Sequence, residues 1–235
     1  MPSQTKAEMK PDYTEYLDPV RLEEEERLWG EVAIYRTYAG LVIRALELSE
    51  PAWLTEAAAL RLAGRQPFPR LVVEVGCGTG WVPTELPDNV DNVDYVGLDK
   101  HPGCIRKAEE KNAHRRWSFI AGDFRQVATR QMQYEDGRPA DVACSFAVLK
   151  HFGLHEWDAI VSKFLSWGRY ATFTLPVWDP SPNQVESYDD GVDYPHVWIG
   201  RPHLFRVLEA AGHEVAETGP LAGTAEEWFI TRQVV

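Results

Sequence analysis

Apolar and polar positions follow two rhythms along the chain. In DPVRLEEEERLWGEVAIYRTYAGLVIRALELS the residues Leu22, Leu28, Val32, Tyr35 and Ile43 fall roughly on one helical face, as in a helix that packs on a domain. Asp18 stands as its N-cap, Pro19 in its first turn, and acids follow where the helix dipole favours them. SEPAWLTEAAALRLAG predicts a second helix, with Pro51 near its start and Gly64 as its stop. From Leu71 short apolar runs alternate with amphipathic stretches. Strands are predicted at Leu71–Val75, Tyr95–Asp99, Trp117–Ala121, Val142–Phe146, Tyr170–Leu175, His213–Glu217 and Trp228–Gln233. Helices fit between them at Trp81–Glu85, His101–Ala113, Leu154–Phe164 and Pro202–Ala211. Strand and helix taking turns predicts an α/β sandwich with a mainly parallel sheet. The expected organisation is a helical extension over 1–66 and an α/β domain over 67–235, with a long irregular insertion at about 176–200.

Composition narrows the function classes. The 235 residues carry 44% hydrophobic side chains, enough for a normal core. No apolar run reaches bilayer length and the N-terminus lacks the apolar core of a secretory signal, so a cytoplasmic protein without membrane contact is expected. Cys77, Cys104 and Cys144 show no zinc spacing and read as reduced thiols. A formal net charge of -12 without a dense basic tract disfavours nucleic acid as a partner. Nothing in the sequence sets the oligomeric state.

The chemistry concentrates after the first predicted strand. In VVEVGCGTGWVP the residues Gly76, Gly78 and Gly80 let the backbone turn tightly and approach a ligand with no β-carbon in the way. A dinucleotide site would space its glycines G-x-G-x-x-G. Here the spacing is G-x-G-x-G, preceded by Glu74. A glycine turn that only shapes the backbone is the plain alternative. Three further strand ends follow in order: YVGLDKHPG, ending on Asp99; WSFIAGDFRQV, with Asp123 and Phe124; and ADVACSFAVLKHFG, with Phe146 and His151. Alone, Asp123 would more often cap a turn.

Together these segments resemble the motifs of class I S-adenosylmethionine-dependent methyltransferases, from Leu71 to the C-terminus. The resemblance implies a Rossmann-like three-layer sandwich whose seven-stranded sheet closes with an antiparallel strand. It also implies S-adenosyl-L-methionine as cofactor and S-adenosyl-L-homocysteine as product. The turn from Glu74 through Gly76, Cys77, Gly78 and Gly80 would pass beneath the methionine and ribose, Asp99 would accept from the ribose hydroxyls, and the Lys100 stem would cover adenine. Asp123 would accept from the adenine amino group, the Phe124 backbone would face the ring edge, and carbonyls near Phe146 would meet the cofactor ammonium.

Transfer to an alcohol or phenol requires loss of a proton, and His151 is the candidate base. The competing reading has it packed beneath the cofactor or orienting a loop. His155 and His196 are weaker candidates, and Lys150 is read either as an exposed lysine or as a holder of an acidic acceptor. No metal is expected, because the strand end after Asp141 offers no neighbouring second acid. Tyr13, Tyr16, Trp178, Tyr194, His196 and Trp198 are candidates for an aromatic acceptor pocket. A metal-independent enzyme acting on a small molecule is the leading reading. A cofactor-binding sensor without activity, a partner subunit, or an enzyme acting on protein or RNA are the alternatives.

Overall fold

The alternation of Leu71, Val73 and Val75 with Val72 and Glu74 along β1 (Arg70–Val75) sends apolar side chains to both faces of a sheet. All five are buried. The structure is a computed structural model that describes residues 34–86, 92–115, 117–180, 187–189 and 196–234. Tyr13, Tyr16, Asp18, Tyr194 and the part of the first predicted helix before Ile34 lie outside the described residues.

β1 sits near the middle of a seven-stranded sheet, ordered β3-β2-β1-β4-β5-β10-β9. The other strands are β2 (Val93–Asp99), β3 (Ser118–Ala121), β4 (Ala140–Ser145), β5 (Gly168–Leu175), β9 (His213–Pro220) and β10 (Glu227–Gln233). All seven predicted strands are present, with ends shifted by up to three residues. β1, β2, β3, β4 and β5 pair in parallel. β10 runs antiparallel to both β5 and β9, as expected of the closing strand. Strand order reverses between β1 and β4, which opens a crevice beyond their carboxyl ends.

Helices cover both faces. On one, α4 (Leu154–Leu165) and α5 (Arg201–Ala210) bury Trp157, Phe164 and Leu204 against Val73, Val75, Phe173 and Phe229. On the other, α1 (Ile34–Leu62) buries Tyr38, Val42, Ala45 and Leu46 against Val72, Val142, Cys144 and Ile230. α2 (Trp81–Thr84) and α3 (Pro102–Lys111) follow β1 and β2.

Two expectations are corrected. The second N-terminal helix is not separate: α1 runs through Pro51 without a break. Proline lacks the amide that would bond the Glu47 carbonyl one turn back, and side chains tie down the helix on either side of it. The Leu46 carbonyl accepts from the Ser49 hydroxyl at 2.8 Å and from the Arg70 guanidinium. Beyond the proline, Glu56 ties the helix to the sheet, pairing with Arg138 at 2.6 Å and with Arg169.

The insertion is not wholly irregular either. β6 (Val177–Trp178), β7 (Ser187–Asp189) and β8 (Val197–Gly200) form a small sheet, ordered β6-β8-β7. Val197 and Ile199 alternate into the main core and are fully buried, which is what holds β8 in place. The Ser187 hydroxyl accepts from the Gly200 amide at 3.1 Å and meets His203 Nδ1 at 2.8 Å, while His203 Nε2 reaches Asp158 at 2.8 Å. This chain of bonds joins the insertion to α5 and α4.

Candidate cofactor and acceptor site

The glycine turn occupies the crevice at the end of β1. Gly76, Gly78 and Gly80 all have positive φ, at 74°, 52° and 76°, where a side chain is strained. Their surroundings differ. A β-carbon on Gly76 would fall 2.2 Å from Val148 Cγ2, and one on Gly80 would press Asn112 and Ala108 at 2.8 and 2.9 Å. Around Gly78 nothing lies within 4 Å of that position. Gly76 and Gly80 are therefore required by packing, and Gly78 borders open space.

Asp99 fixes the same turn from β2. Its Oδ2 accepts the Gly78 amide at 3.0 Å and its Oδ1 the His101 amide at 2.9 Å. One carboxylate thus spans the glycine turn and the start of α3, with lone pairs left over for hydroxyl donors. Below the turn, Glu74 is buried and accepts the Tyr95 phenol. Burial pushes its carboxyl up to about 8, against the pull of the Tyr95 hydrogen bond. Cys77 is buried beside it with its thiol pushed well up by desolvation, and all three cysteines are buried and free.

At the end of β3, both Asp123 oxygens face the Arg125 guanidinium, at 3.0 Å to Nε and 2.6 Å to Nη2, and Oδ1 also accepts the Arg125 amide. These hydrogen bonds hold its carboxyl below the usual range. Asp123 therefore caps its own turn, and Arg125 is a partner that no sequence pattern singled out. The Phe124 ring packs inward on Trp167 at 4.7 Å between centroids. Lys100 is exposed next to Asp99.

β4 ends in an unusual backbone. Ala147 is left-handed, with φ 57°, and donates its amide to Thr174 Oγ1 at 2.8 Å. Non-glycine residues in this region collect at functional sites. Phe146 is buried and stacks on Tyr38 with ring centroids 4.5 Å apart and planes 6° from parallel. The short helical turn Leu149–His151 then brings His151 to 6.0 Å from the His196 ring, and His196 lies 6.2 Å from Trp198. Three of the proposed acceptor-side rings thus meet, while Trp178 stands on β6 opposite Gly200.

Residues 72–169 match the family model for a methyltransferase domain. Over this stretch the chain is similar to methyltransferase domains. Known folds agree along nearly its whole length. The magnesium protoporphyrin IX methyltransferase ChlM from Synechocystis PCC 6803, solved with bound SAH, superposes with a TM-score of 0.62 at 15% identity, covering 93% of this chain and 96% of that one. The mitomycin 7-O-methyltransferase MmcR gives 0.62 at 18% identity, over 95% of this chain and 61% of that one. A TehB-like SAM-dependent methyltransferase from Corynebacterium glutamicum ATCC 13032 Kitasato gives 0.56 at 15% identity, over 92% and 100%. No curated protein matches the sequence.

Two pairings near the crevice had no signal in the sequence. Lys150 is not an exposed lysine: it pairs with Glu226, from the connector between β9 and β10, and both side chains are largely buried. Trp81, directly after Gly80, lies between Lys111, whose Nζ is 3.5 Å above its ring, and Tyr35, stacked at 5.9 Å. Both arrangements join segments far apart in the chain, and no local pattern announces them. Among the described residues, no group of three or more His, Cys, Asp or Glu side chains is arranged to hold a metal ion. No helix among them is long and apolar enough to cross a membrane.

Proposed function

We propose that this chain binds S-adenosyl-L-methionine in the crevice beyond β1 and β2 and transfers its methyl group to a small-molecule acceptor by in-line displacement, without a metal ion. The observation that carries the reading is the pairing of Gly78 with Asp99. The amide of the one turn glycine that borders open space is held by the strand-end acid expected to grip the ribose. The residues fit the cofactor on chemistry as well: a backbone free of β-carbons at the approach, and a carboxylate with unused acceptor capacity.

When bound, the cofactor would supply a methyl carbon already activated by a positive sulfur, so the chain's task is alignment and exclusion of water. Gly76, Gly78 and Gly80 shape the floor, Asp99 orients the sugar, and Asp123 with Phe124 borders the base. Cys77, Lys100 and the backbone near Phe146 line the remainder, and Glu74 supports the turn from below. His151, backed by His196 and Trp198, stands on the acceptor side as the candidate base. The small-molecule methyltransferases among the similar structures support that acceptor class, and the net charge of -12 supports it over nucleic acid.

Calorimetry with S-adenosylhomocysteine tests the cofactor half: wild type is expected to bind, and Asp99→Ala to bind about tenfold or more weakly, the loss of charge-assisted hydrogen bonds. Equal, undetectable heats for both would remove the reading. Transfer from labelled S-adenosylmethionine, unchanged after exhaustive dialysis against EDTA, tests the metal-independent half.

A further inference from the structure

The crevice holds a polar cluster on its β5 and β10 side that the cofactor reading does not use. Four elements contribute. Tyr38 comes from α1 and stacks on Phe146 at the end of β4, and Thr174 lies at the end of β5. Thr174 is fixed in turn by the amide of the left-handed Ala147. Lys150, from the turn after β4, pairs with Glu226 Oε1. Glu226 is held by its own hairpin, where its carbonyl accepts the Leu221 amide at 2.9 Å and its amide donates to Thr224 Oγ1 at 3.1 Å. It lies near enough to Tyr38 that its charge adds to burial in holding the phenol protonated.

One atom of this cluster is unsatisfied. The Glu226 side chain is 10% exposed, and its second oxygen, Oε2, is shielded from solvent and meets no hydrogen-bond donor. Buried carboxylate oxygens are rarely left so, and an exception calls for a missing partner. The missing partner must donate a hydrogen bond. It should also be neutral, because Lys150 already balances the Glu226 charge and a cation would add an uncompensated charge to a buried site. A carboxylate or phosphate would face Oε2 with like charge.

Building on the methyl-transfer reading, we propose that Glu226 is an acceptor-binding residue whose Oε2 receives the hydroxyl of a neutral alcohol or phenol. Lys150 holds the carboxylate in place, and Tyr38 on Phe146 forms the adjoining aromatic wall. The assignment makes Glu226 a determinant of specificity between hydroxyl and amine acceptors. It places the left-handed turn at Ala147 as the support that positions Thr174.

The test takes the full chain saturated with S-adenosylhomocysteine and a panel of neutral phenols and alcohols, primary amines and carboxylates, with binding read by saturation-transfer NMR. Hydroxyl compounds are expected to bind in preference. Glu226→Gln places an amide donor where an acceptor stood and should weaken them by about tenfold or more, with S-adenosylhomocysteine affinity unchanged within about twofold. Preference for amines or carboxylates, no bound hydroxyl compound, or wild-type binding by Glu226→Gln overturns the assignment. If Glu226→Gln melts too early to assay, the class preference of the wild-type protein decides alone. Calorimetry on the same samples separates the two readings: loss of S-adenosylhomocysteine binding in wild type removes the cofactor site itself, whereas binding without a hydroxyl ligand removes only the role of Glu226.

Discussion

Gly76 and Gly78 stand two residues apart in one turn, and their surroundings give them different jobs. Alanine at either position meets positive φ, a strain of about 1 kcal/mol. At Gly76 it also meets Val148 at 2.2 Å, so packing must break. Gly76→Ala is therefore expected to lower the melting temperature well beyond Gly78→Ala. Gly78→Ala should fold with a loss of about 1 kcal/mol and lose S-adenosylhomocysteine affinity, because its methyl points into the open side of the turn. Thermal melts and calorimetry on the two variants check this division. At this scale the sequence was legible where chemistry sits on consecutive residues: the glycine turn and the acid of β2 are local patterns. It was silent on Glu226, Thr174 and Tyr38, which meet only after strands distant in sequence become neighbours. It also did not anticipate Arg125 as the partner of Asp123, since an arginine two residues after an acid is common on any surface.

Among the elements, strands were read best because each is a short apolar run closed by a polar turn. α1 was read worst. Pro51 looks like the first turn of a new helix, and local rules allow no other reading. What overrides them is tertiary: the Leu46 carbonyl is served by Arg70 from β1, and Glu56 is gripped by Arg138 and Arg169. The two halves of α1 are thus held differently. Up to Leu46 the helix is packed in the core, whereas beyond Pro51 most of it is exposed and bound largely by ions. Screening weakens partly exposed ion pairs and leaves apolar burial intact. Raising sodium chloride to about 1 M should therefore speed hydrogen exchange at Thr55–Leu60 and leave Val42–Leu46 unchanged. A uniform response along the helix would contradict that division.

Across the whole molecule, two buried groups set an opposed dependence of stability on pH. Burial raises Glu74 from 4.5 to about 8, so the folded chain keeps a proton that the unfolded chain releases, and stability falls as pH rises through that window. Burial lowers His213 from 6.5 to about 4, so the unfolded chain holds a proton that the folded chain lacks, and stability falls as pH drops through that window. Where the windows overlap, from 4.5 to 6.5, the two slopes cancel, and between 6.5 and about 8 only the Glu74 loss remains. Denaturant titrations at stepped pH should show that loss in wild type and its removal in Glu74→Gln. Neither group was legible as titrating in the sequence, because burial is a property of the assembled layers. The layers also fix directions. β10 begins beside the crevice and, running against its neighbours, ends at the opposite rim, where the exposed Gln233 pairs with His213. A thiol introduced at position 233 would thus anchor the molecule to a sensor chip with its binding mouth turned toward the flowing solution.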